Sequence, residues 1–150
     1  MRTIIQRVIH ASVTIDGEKV SSIKTGYLIL LGVCAEDTKE DADWLVRKVV
    51  NLRIFNDEHG MMNLPIKAVD GDILVVSQFT LYASYKKNNR PSWCKAAPHD
   101  ISEPLYEYFC EELGKANGKS VGRGVFGADM QVELLNDGPV TIYMDTKNKE

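Results

Sequence analysis

The alternation of apolar and polar residues divides most of the chain into short strands. Residues 3–9 and 11–20 are predicted to form two strands, with a tight turn at Asp16–Gly17. Residues 26–33 read GYLILLGV and are apolar enough for a central strand. Shorter signals predict a strand at residues 53–55 and three more after the second helix, at residues 120–126, 130–136 and 140–145.

Helical spacing of apolar residues appears twice. Asp37 is predicted to cap the first helix, and Glu40 completes a capping-box pattern. Ser102 is predicted to cap the second helix, which carries Pro104 in its first turn and ends before Gly118. The buried faces of the two helices are formed by Ala42, Leu45, Val46, Val49 and Val50 and by Leu105, Phe109 and Leu113.

These elements follow one another in the order βββαββαβββ, joined by short turns. The predicted fold class is α+β, with a mainly antiparallel sheet or partly closed barrel flanked by two helices. A chain of 150 residues suits one domain with a single core, so residues 1–150 are expected to form one domain.

One stretch, residues 73–82, changes character halfway and is predicted to be a single strand. Its first half is β-branched and apolar, as a strand buried on both faces requires, whereas Ser77, Gln78 and Thr80 make the second half polar. On a strand Ser77 and Phe79 would share one face, and Gln78 and Thr80 the other. Polar groups at the end of a buried strand need either internal partners or a ligand. Three hydrogen-bonding side chains in four residues favour a binding site.

Composition narrows the class of protein. With 44% hydrophobic and 26% charged residues the chain is typical of a globular protein, and no apolar run reaches the ~20 residues of a membrane span. The net charge of −3 argues against a broad nucleic-acid binder, so no DNA partner and no membrane partner are expected. Cys34, Cys94 and Cys110 form no CxxC pair, which fits a reducing cytoplasm without a zinc site. No signal peptide, metal cluster or cofactor motif is expected.

Residues 83–100 form the one long irregular segment, and it is basic. Two interpretations stay open, because the segment either holds phosphates and stacks a base or is simply a solvated loop. Its cations and large aromatic residues are Lys86, Lys87, Arg90 and Lys95 with Tyr85 and Trp93.

A second informative turn lies near the end of the chain, at Gly138–Pro139. Gly138 can adopt backbone angles that other residues avoid, and Pro139 fixes its own φ and removes a donor. Because only about 5–6% of X-Pro bonds are cis in folded proteins, statistics alone favour a trans bond here.

Four segments together give the chain a close resemblance to the D-aminoacyl-tRNA deacylases. They are MRTIIQRVIHASVTIDGE at residues 1–18, SQFTLY at 77–82, NRPS at 89–92 and GADMQVELLNDGPVTI at 127–142. They span nearly the whole chain in the same order. SQFTL and NDGPVT together are a specific signal, whereas either one alone is weak.

The resemblance implies a cytoplasmic homodimer that hydrolyses the ester between a D-amino acid and the terminal ribose of tRNA, a proofreading activity in translation. It further implies that Gly138–Pro139 is a cis pair inserted into the partner subunit's site, where its carbonyls hold the amino group and exclude an L side chain. Steric exclusion by rigid backbone is a physically sound selector. Glycine has no side chain to exclude, so glycyl-tRNA would be a substrate too. Arg7 would hold the loop in place.

The chemistry implied by the resemblance centres on Thr80, which the family motif offers as a nucleophile. A threonine hydroxyl is a poor nucleophile without an adjacent base, and the motif contains no His, Lys or carboxylate. We therefore favour an oxyanion hole made by the backbone N–H groups of Phe79 and Thr80. Ser77 and Gln78 would fix the pocket, and the ribose 2′-hydroxyl of the substrate would help to activate water.

Other interpretations stay open at this point. Residues Phe126, Gly127 and Ala128 either line a pocket for the terminal adenosine or are plain hairpin structure, with about equal weight. The nearest rival function is that of the related editing domain of some threonyl-tRNA synthetases, which removes a mischarged L-amino acid. A different rival is a non-catalytic RNA-binding module that uses the basic segment, against which the acidic net charge speaks. A purely structural protein is least favoured.

Overall fold

The computed structural model describes residues 1–150 and contains two long helices and eight strands. The helices are α1 (Lys39–Asn51) and α2 (His99–Asn117), and two 3₁₀ helices span Ile66–Val69 and Phe79–Tyr82. Neither helix is long and apolar enough to cross a membrane. The strands are β1 (Arg2–Ile15), β2 (Glu18–Ile23), β3 (Gly26–Gly32), β4 (Phe55–Asn56), β5 (Met62–Leu64), β6 (Asp72–Ser77), β7 (Gly122–Arg123) and β8 (Gln131–Asp145).

Strand β1 organises the six-stranded sheet, because three strands pair with it in antiparallel fashion. β3 pairs with its first half, β2 with its second half, and β8 runs along its other side from end to end. Beyond β3 the sheet continues through β6 to β7. β4 and β5 form a separate two-stranded sheet.

The far side of the sheet is parallel, since β6 runs parallel to both β3 and β7. Parallel neighbours need a crossover connection, and α1 provides it between β3 and β6 while α2 provides it between β6 and β7. The predicted α+β class, with a curled sheet and two flanking helices, is confirmed. The parallel half follows from the position of the two helices in the chain.

The core has two parts, one on each face of the sheet. Alternate residues of β3 point to opposite faces, so Tyr27, Ile29 and Leu31 pack toward the helices and Leu28 packs toward the other face. The larger cluster fills the space between the sheet and the two helices. The smaller cluster lies inside the curled sheet, where residues from β1, β3 and β6 are covered by the start of β8.

The predicted order of elements, βββαββαβββ, is wrong in detail, since the chain runs βββαβββαββ. An extra strand, β5, pairs with β4 between the helices. After α2 the two predicted strands 130–136 and 140–145 are one strand, β8, because both parts pair with the continuous β1. Strands 3–9 and 11–20 are likewise the single strand β1 and the start of β2, joined at the predicted turn of Asp16–Gly17.

The predicted strand 73–82 is also too long, because strand β6 ends at Ser77 and the candidate site residues after it are not part of the sheet. Its last paired residue is Ser77, opposite Leu31, and β3 ends directly afterwards. The N–H of Gln78 still donates to the carbonyl of Leu31, at 2.7 Å. Without a further partner strand, the chain turns into the 3₁₀ helix Phe79–Tyr82. Phe79 and Thr80 are therefore not strand residues, and the prediction that each shares a strand face, with Ser77 and Gln78 respectively, is wrong.

The predicted helix caps are displaced as well. Thr38, not Asp37, is the N-cap of α1, and its N–H donates to the Asp41 carboxylate at 2.9 Å. Asp37 instead accepts hydrogen bonds from the amino group of Met1 at 2.5 Å and from the N–H of Cys34 at 2.7 Å. Ser102 lies inside the first turn of α2, where its hydroxyl donates to the carbonyl of Pro98 at 2.9 Å.

Candidate active site

A cavity of about 290 Å³ lies where β6 ends, between α2 and the chain that leads into β8. It brings together two of the predicted groups, Ser77 with Gln78 and Phe79 on one side and the segment 126–128 on the other. Thr80, Arg7, Gly138 and Pro139 do not line it. The rest of the lining is mainly apolar: Leu31, Val33, Val76, Ala97, Ser102, Tyr106, Asp129, Met130 and Val132.

The 3₁₀ helix Phe79–Tyr82 begins at the cavity, which Phe79 lines, and its first backbone donors are free. The first N–H groups of a helix have no acceptor within it, and those of Phe79 and Thr80 donate to no other group of the chain. The side-chain amide of Gln78 donates to the hydroxyl of Thr80. No His, Lys or carboxylate contacts that hydroxyl, so the structure provides no base for a threonine nucleophile.

Packing against β3 and β1 fixes this helix in place. A Cβ atom on Gly32 would lie 3.0 Å from the carbonyl oxygen of Gln78 and 3.1 Å from Cβ of Leu81, so glycine lets the 3₁₀ helix lie close against β3 without displacement. From the other side, the guanidinium of Arg2 donates to the carbonyl of Leu81 at 2.9 Å and lies over the ring of Tyr82. The donors of Phe79 and Thr80 are therefore held by contacts from distant parts of the chain.

Aromatic side chains from α2 and from residue 126 form the opposite wall. The ring of Phe126 meets that of His99 edge-on at 4.9 Å and lies 5.7 Å from that of Tyr106. The hydroxyl of Tyr106 donates to the carbonyl of Val75 at 3.0 Å, and burial raises the pKa of this hydroxyl above its ordinary range. Tyr106 was not predicted as a site residue. Its spacing from Phe109 and Leu113 marks it only as part of the buried helix face.

The Gly138–Pro139 pair lies outside this cavity, in an irregular part of β8. Asn136 pairs with Val8 and Thr141 pairs with Gln6, so residues 137–140 bulge out of the ladder opposite Arg7. The peptide bond between Gly138 and Pro139 is cis, as the resemblance implied and against the statistical expectation. Both residues are exposed.

Arg7 contacts this bulge through its guanidinium. The residue is 6% exposed, and the Nε of its guanidinium donates to the carbonyl of Asp137 at 3.0 Å. Its Nη1 donates to the carbonyl of Ile54 at 2.6 Å and to Oδ1 of Asn56 at 3.2 Å. The bulge is thereby tied to the chain that follows α1.

Asn136 and Gly138 fix the shape of the bulge itself. The side-chain oxygen of Asn136 accepts from the N–H of Val140 at 2.9 Å, and its amide donates to the hydroxyl of Thr141 at 3.1 Å. Gly138 has φ +136°, and a Cβ there would lie 2.7 Å from Cγ2 of Val140 and 3.2 Å from Nη2 of Arg7. This position therefore requires glycine. Asn136 was not predicted as a site residue, although it is the first residue of the NDGPVT motif.

Beside backbone and amide groups, the two segments carry the hydroxyls of Ser77 and Thr80 and the carboxylate of Asp137, which lies 3.4 Å from Nε of Arg7. No group of three or more His, Cys, Asp or Glu side chains is arranged to hold a metal ion. The free N–H groups of the 3₁₀ helix can donate hydrogen bonds to a ligand, and the largely apolar lining of the cavity, which includes Phe126, can enclose an apolar group.

These features occur in a chain that belongs to the D-Tyr-tRNA(Tyr) deacylase family, whose sequence model matches residues 4–145. The chain is 64% identical to the D-aminoacyl-tRNA deacylase of Bacteroides thetaiotaomicron and 63% identical to that of Phocaeicola vulgatus, over the full length of all three chains. Among solved structures it is similar to one named c-Myc DNA Unwinding Element Binding Protein, with a TM-score of 0.91 and 42% identity over 97% of this chain and 98% of that one.

Proposed function

We propose that the chain is a D-aminoacyl-tRNA deacylase that hydrolyses the ester between a D-amino acid and the terminal ribose of tRNA. The observation that carries the proposal is a pair of unused backbone N–H groups, that of Phe79, which lines an apolar cavity, and that of the next residue, Thr80. Oriented donors of this kind stabilise the oxyanion that develops when water attacks an ester carbonyl. The family to which the chain belongs supplies the substrate class.

The proposed chemistry uses little side-chain catalysis. The donors of Phe79 and Thr80 receive the developing oxyanion, Gln78 positions the hydroxyl of Thr80, and Ser77 shapes the end of β6. The ribose 2′-hydroxyl of the substrate assists the attacking water, because the chain offers no base beside the ester. The terminal adenosine lies against Phe126, Gly127 and Ala128, where Gly127 leaves open space.

The selector in this proposal is the Gly138–Pro139 pair of a second subunit. Two facts support it: the pair is exposed and rigidly held, yet it does not line the cavity of its own chain. In a homodimer each loop would enter the partner's cavity, bind the amino group through backbone carbonyls and exclude an L side chain. Glycyl-tRNA would be hydrolysed as well, since glycine has no side chain to exclude. A cytoplasmic location is part of this proposal, because its substrate is aminoacyl-tRNA.

The first test is release of amino acid from tRNA charged with D-tyrosine, L-tyrosine or glycine, at catalytic enzyme concentrations. We expect rapid hydrolysis of the D-tyrosyl and glycyl esters and none of the L-tyrosyl ester. Equal hydrolysis of both tyrosyl esters would contradict the role of Gly138–Pro139 as a chiral selector. It would favour instead the function of an editing domain that removes a mischarged L-amino acid. Binding of charged tRNA without any hydrolysis would reject the enzyme and favour an RNA-binding module.

A second test separates one-chain from two-chain sites. Ser102→Phe, on α2, fills the cavity, and Gly138→Ala disturbs the loop, so each variant alone is expected to keep about a hundredth of wild-type activity or less. If each site needs a cavity from one chain and a loop from the other, mixed subunits regain one intact site per heterodimer. Unfolding and refolding the two variants together should then restore about a quarter of wild-type activity, the share expected for random pairing. No recovery in heterodimers isolated with two affinity tags would reject the shared site.

A further inference from the structure

A basic hairpin adjoins the cavity and is not used in the reaction scheme above. Residues 84–92, here called the basic hairpin, are closed at their base by two backbone hydrogen bonds of 2.8 Å between Ser84 and Ser92. The hairpin follows the 3₁₀ helix Phe79–Tyr82, and the chain then returns to Ala97, which lines the cavity. It therefore begins and ends at the candidate active site.

The cations of this hairpin have no acidic partner. Lys86, Lys87 and Arg90 are exposed, and none of them forms an ion pair, whereas six other Lys and Arg side chains of the protein do. The whole stretch from residue 73 to residue 99 contains no Asp or Glu. In a chain with a net charge of −3, this is a local and unneutralised positive surface.

Large aromatic side chains are exposed beside these cations. Tyr85, in the hairpin, is 74% exposed, Trp93 directly after it is 40% exposed, and Phe79 at the cavity is 55% exposed. The rings of Trp93 and Phe79 meet edge-on at 5.1 Å, so the aromatic surface is continuous from the cavity to the hairpin. Exposed rings next to unpaired cations are typical of surfaces that bind single-stranded nucleic acid, by base stacking and phosphate contacts.

We propose that the basic hairpin and Trp93 bind the single-stranded 3′ end of the tRNA, in the nucleotides that precede the terminal adenosine. Lys86, Lys87 and Arg90 contact the backbone phosphates, and the exposed face of Trp93 stacks on a base. The proposal rests on the proposed function, because it starts from a terminal adenosine in the cavity. It assigns a surface to the part of the substrate that the cavity does not enclose.

Physical reasons favour a single strand over the duplex stem. Stacking on Trp93 requires an unpaired base, and a paired stem presents only phosphates and sugars to such a loop. Stacking and phosphate contacts read no base edges, so the surface tolerates any sequence. This suits an enzyme that must accept many tRNAs through the end that they share.

The test is fluorescence anisotropy with an uncharged RNA hairpin that carries a four-nucleotide 3′ tail, measured over a range of salt concentrations. In the triple variant Lys86→Gln, Lys87→Gln, Arg90→Gln we expect binding to weaken at least tenfold at low salt. Each lost phosphate contact on a single strand lowers the slope of log K against log[salt] by about 0.7, so the slope should fall by about 2. The matched control is Lys19→Gln, Lys24→Gln, Lys67→Gln, which removes the same charge from exposed lysines without ion pairs and should leave the slope unchanged.

A second pair of variants tests stacking. Trp93→Ala should weaken binding roughly tenfold with the salt slope unchanged, and Trp93→Tyr should restore most of it, because tyrosine also stacks. Thermal unfolding of each variant checks that the fold is intact.

Three results would overturn the proposal: wild-type binding by the hairpin variant, an equal loss in the control variant, or an equal loss on a blunt-ended duplex without the tail. Failure to hydrolyse D-aminoacyl-tRNA would reject the proposed function alone, since this measurement uses uncharged RNA.

Discussion

The segment that lines the cavity and the loop that carries Gly138–Pro139 are held in place in different ways. The first follows a strand end, and its free N–H groups belong to Phe79, which lines a cavity of the same chain, and to the adjacent Thr80. The second projects from the sheet, and every strong contact it makes, to Arg7 and within Asn136–Thr141, lies on its inner side. The first segment lines a cavity, and the second is a loop that projects from the sheet. This difference is the physical basis for proposing that the loop of one subunit enters the cavity of another.

The largest expected effect is that of Arg7→Met, which breaks the anchor of the projection but keeps its apolar stem. Removing the buried guanidinium leaves the carbonyls of Asp137 and Ile54 without donors. We expect a loss of about 3 kcal/mol in the free energy of unfolding, measured with urea, and a loss of D-specific activity beyond about a hundredfold.

The matched control is Arg53→Met, because Arg53 is exposed and also donates to a carbonyl, that of Asn63. It should cost well under about 1 kcal/mol, as exposed contacts do. Equal losses in the two variants would mean that Arg7 has no special role in the loop.

Gly138→Ala should disturb the projection and spare the fold. The added methyl group would clash with Val140 and press on Arg7 at a backbone angle that alanine rarely adopts. Because small displacements of positioning groups cost about a hundredfold, we expect that loss in kcat/KM for D-tyrosyl-tRNA with little change in Tm. Gly60→Ala is the control, since Gly60 also has positive φ but has open space around it. Unchanged activity in Gly138→Ala would contradict the role of the loop.

In the segment that follows β6, Thr80→Ala should have a smaller effect on activity than either Arg7→Met or Gly138→Ala. The proposed donors are backbone groups, which the substitution leaves in place, and only the contact with Gln78 is lost. We expect a decrease in kcat of no more than about tenfold, measured in single-turnover hydrolysis. A loss beyond roughly a thousandfold would show that the hydroxyl itself takes part in the chemistry.

The smallest expected effect comes from Asp41→Asn, remote from both segments. Burial acts to raise the pKa of Asp41, but hydrogen bonds from Thr146, Thr38 and Lys147 outweigh it and lower the pKa to about 2. Because the folded pKa is lowered, the ionised carboxylate stabilises the fold above about pH 4, and this contribution is lost as the pH falls toward 2.

Wild type should therefore exceed Asp41→Asn by about 1 kcal/mol near pH 7, and the two should converge near pH 2, in urea titrations across that range. Deacylation at neutral pH should be the same in both. A lower activity in this variant would mean that changes in stability alone affect the reaction, and would weaken the interpretation of the two loop variants.

Local patterns predicted most of the elements but not their partners. The apolar run of β3, the two helix faces and the turn at Asp16–Gly17 were all predicted correctly, because they depend on neighbours in sequence. The strand predicted at residues 73–82 was too long, because nothing in its own residues says that β3 ends beside Ser77. The break predicted within β8 was absent, because β1 continues alongside it.

For the candidate site, residue types alone identified the candidate residues and the chemical groups that their motifs lack. The motifs around Ser77–Thr80 and Gly138–Pro139, and the lack of a base near Thr80, were readable from residue types alone. Only the tertiary structure decided that Phe79 and Thr80 present free N–H groups, that Tyr106 closes the cavity, and that the loop lies outside it. The physical reason is that hydrogen-bond satisfaction and enclosure depend on contacts between segments far apart in the chain, which local pattern does not encode.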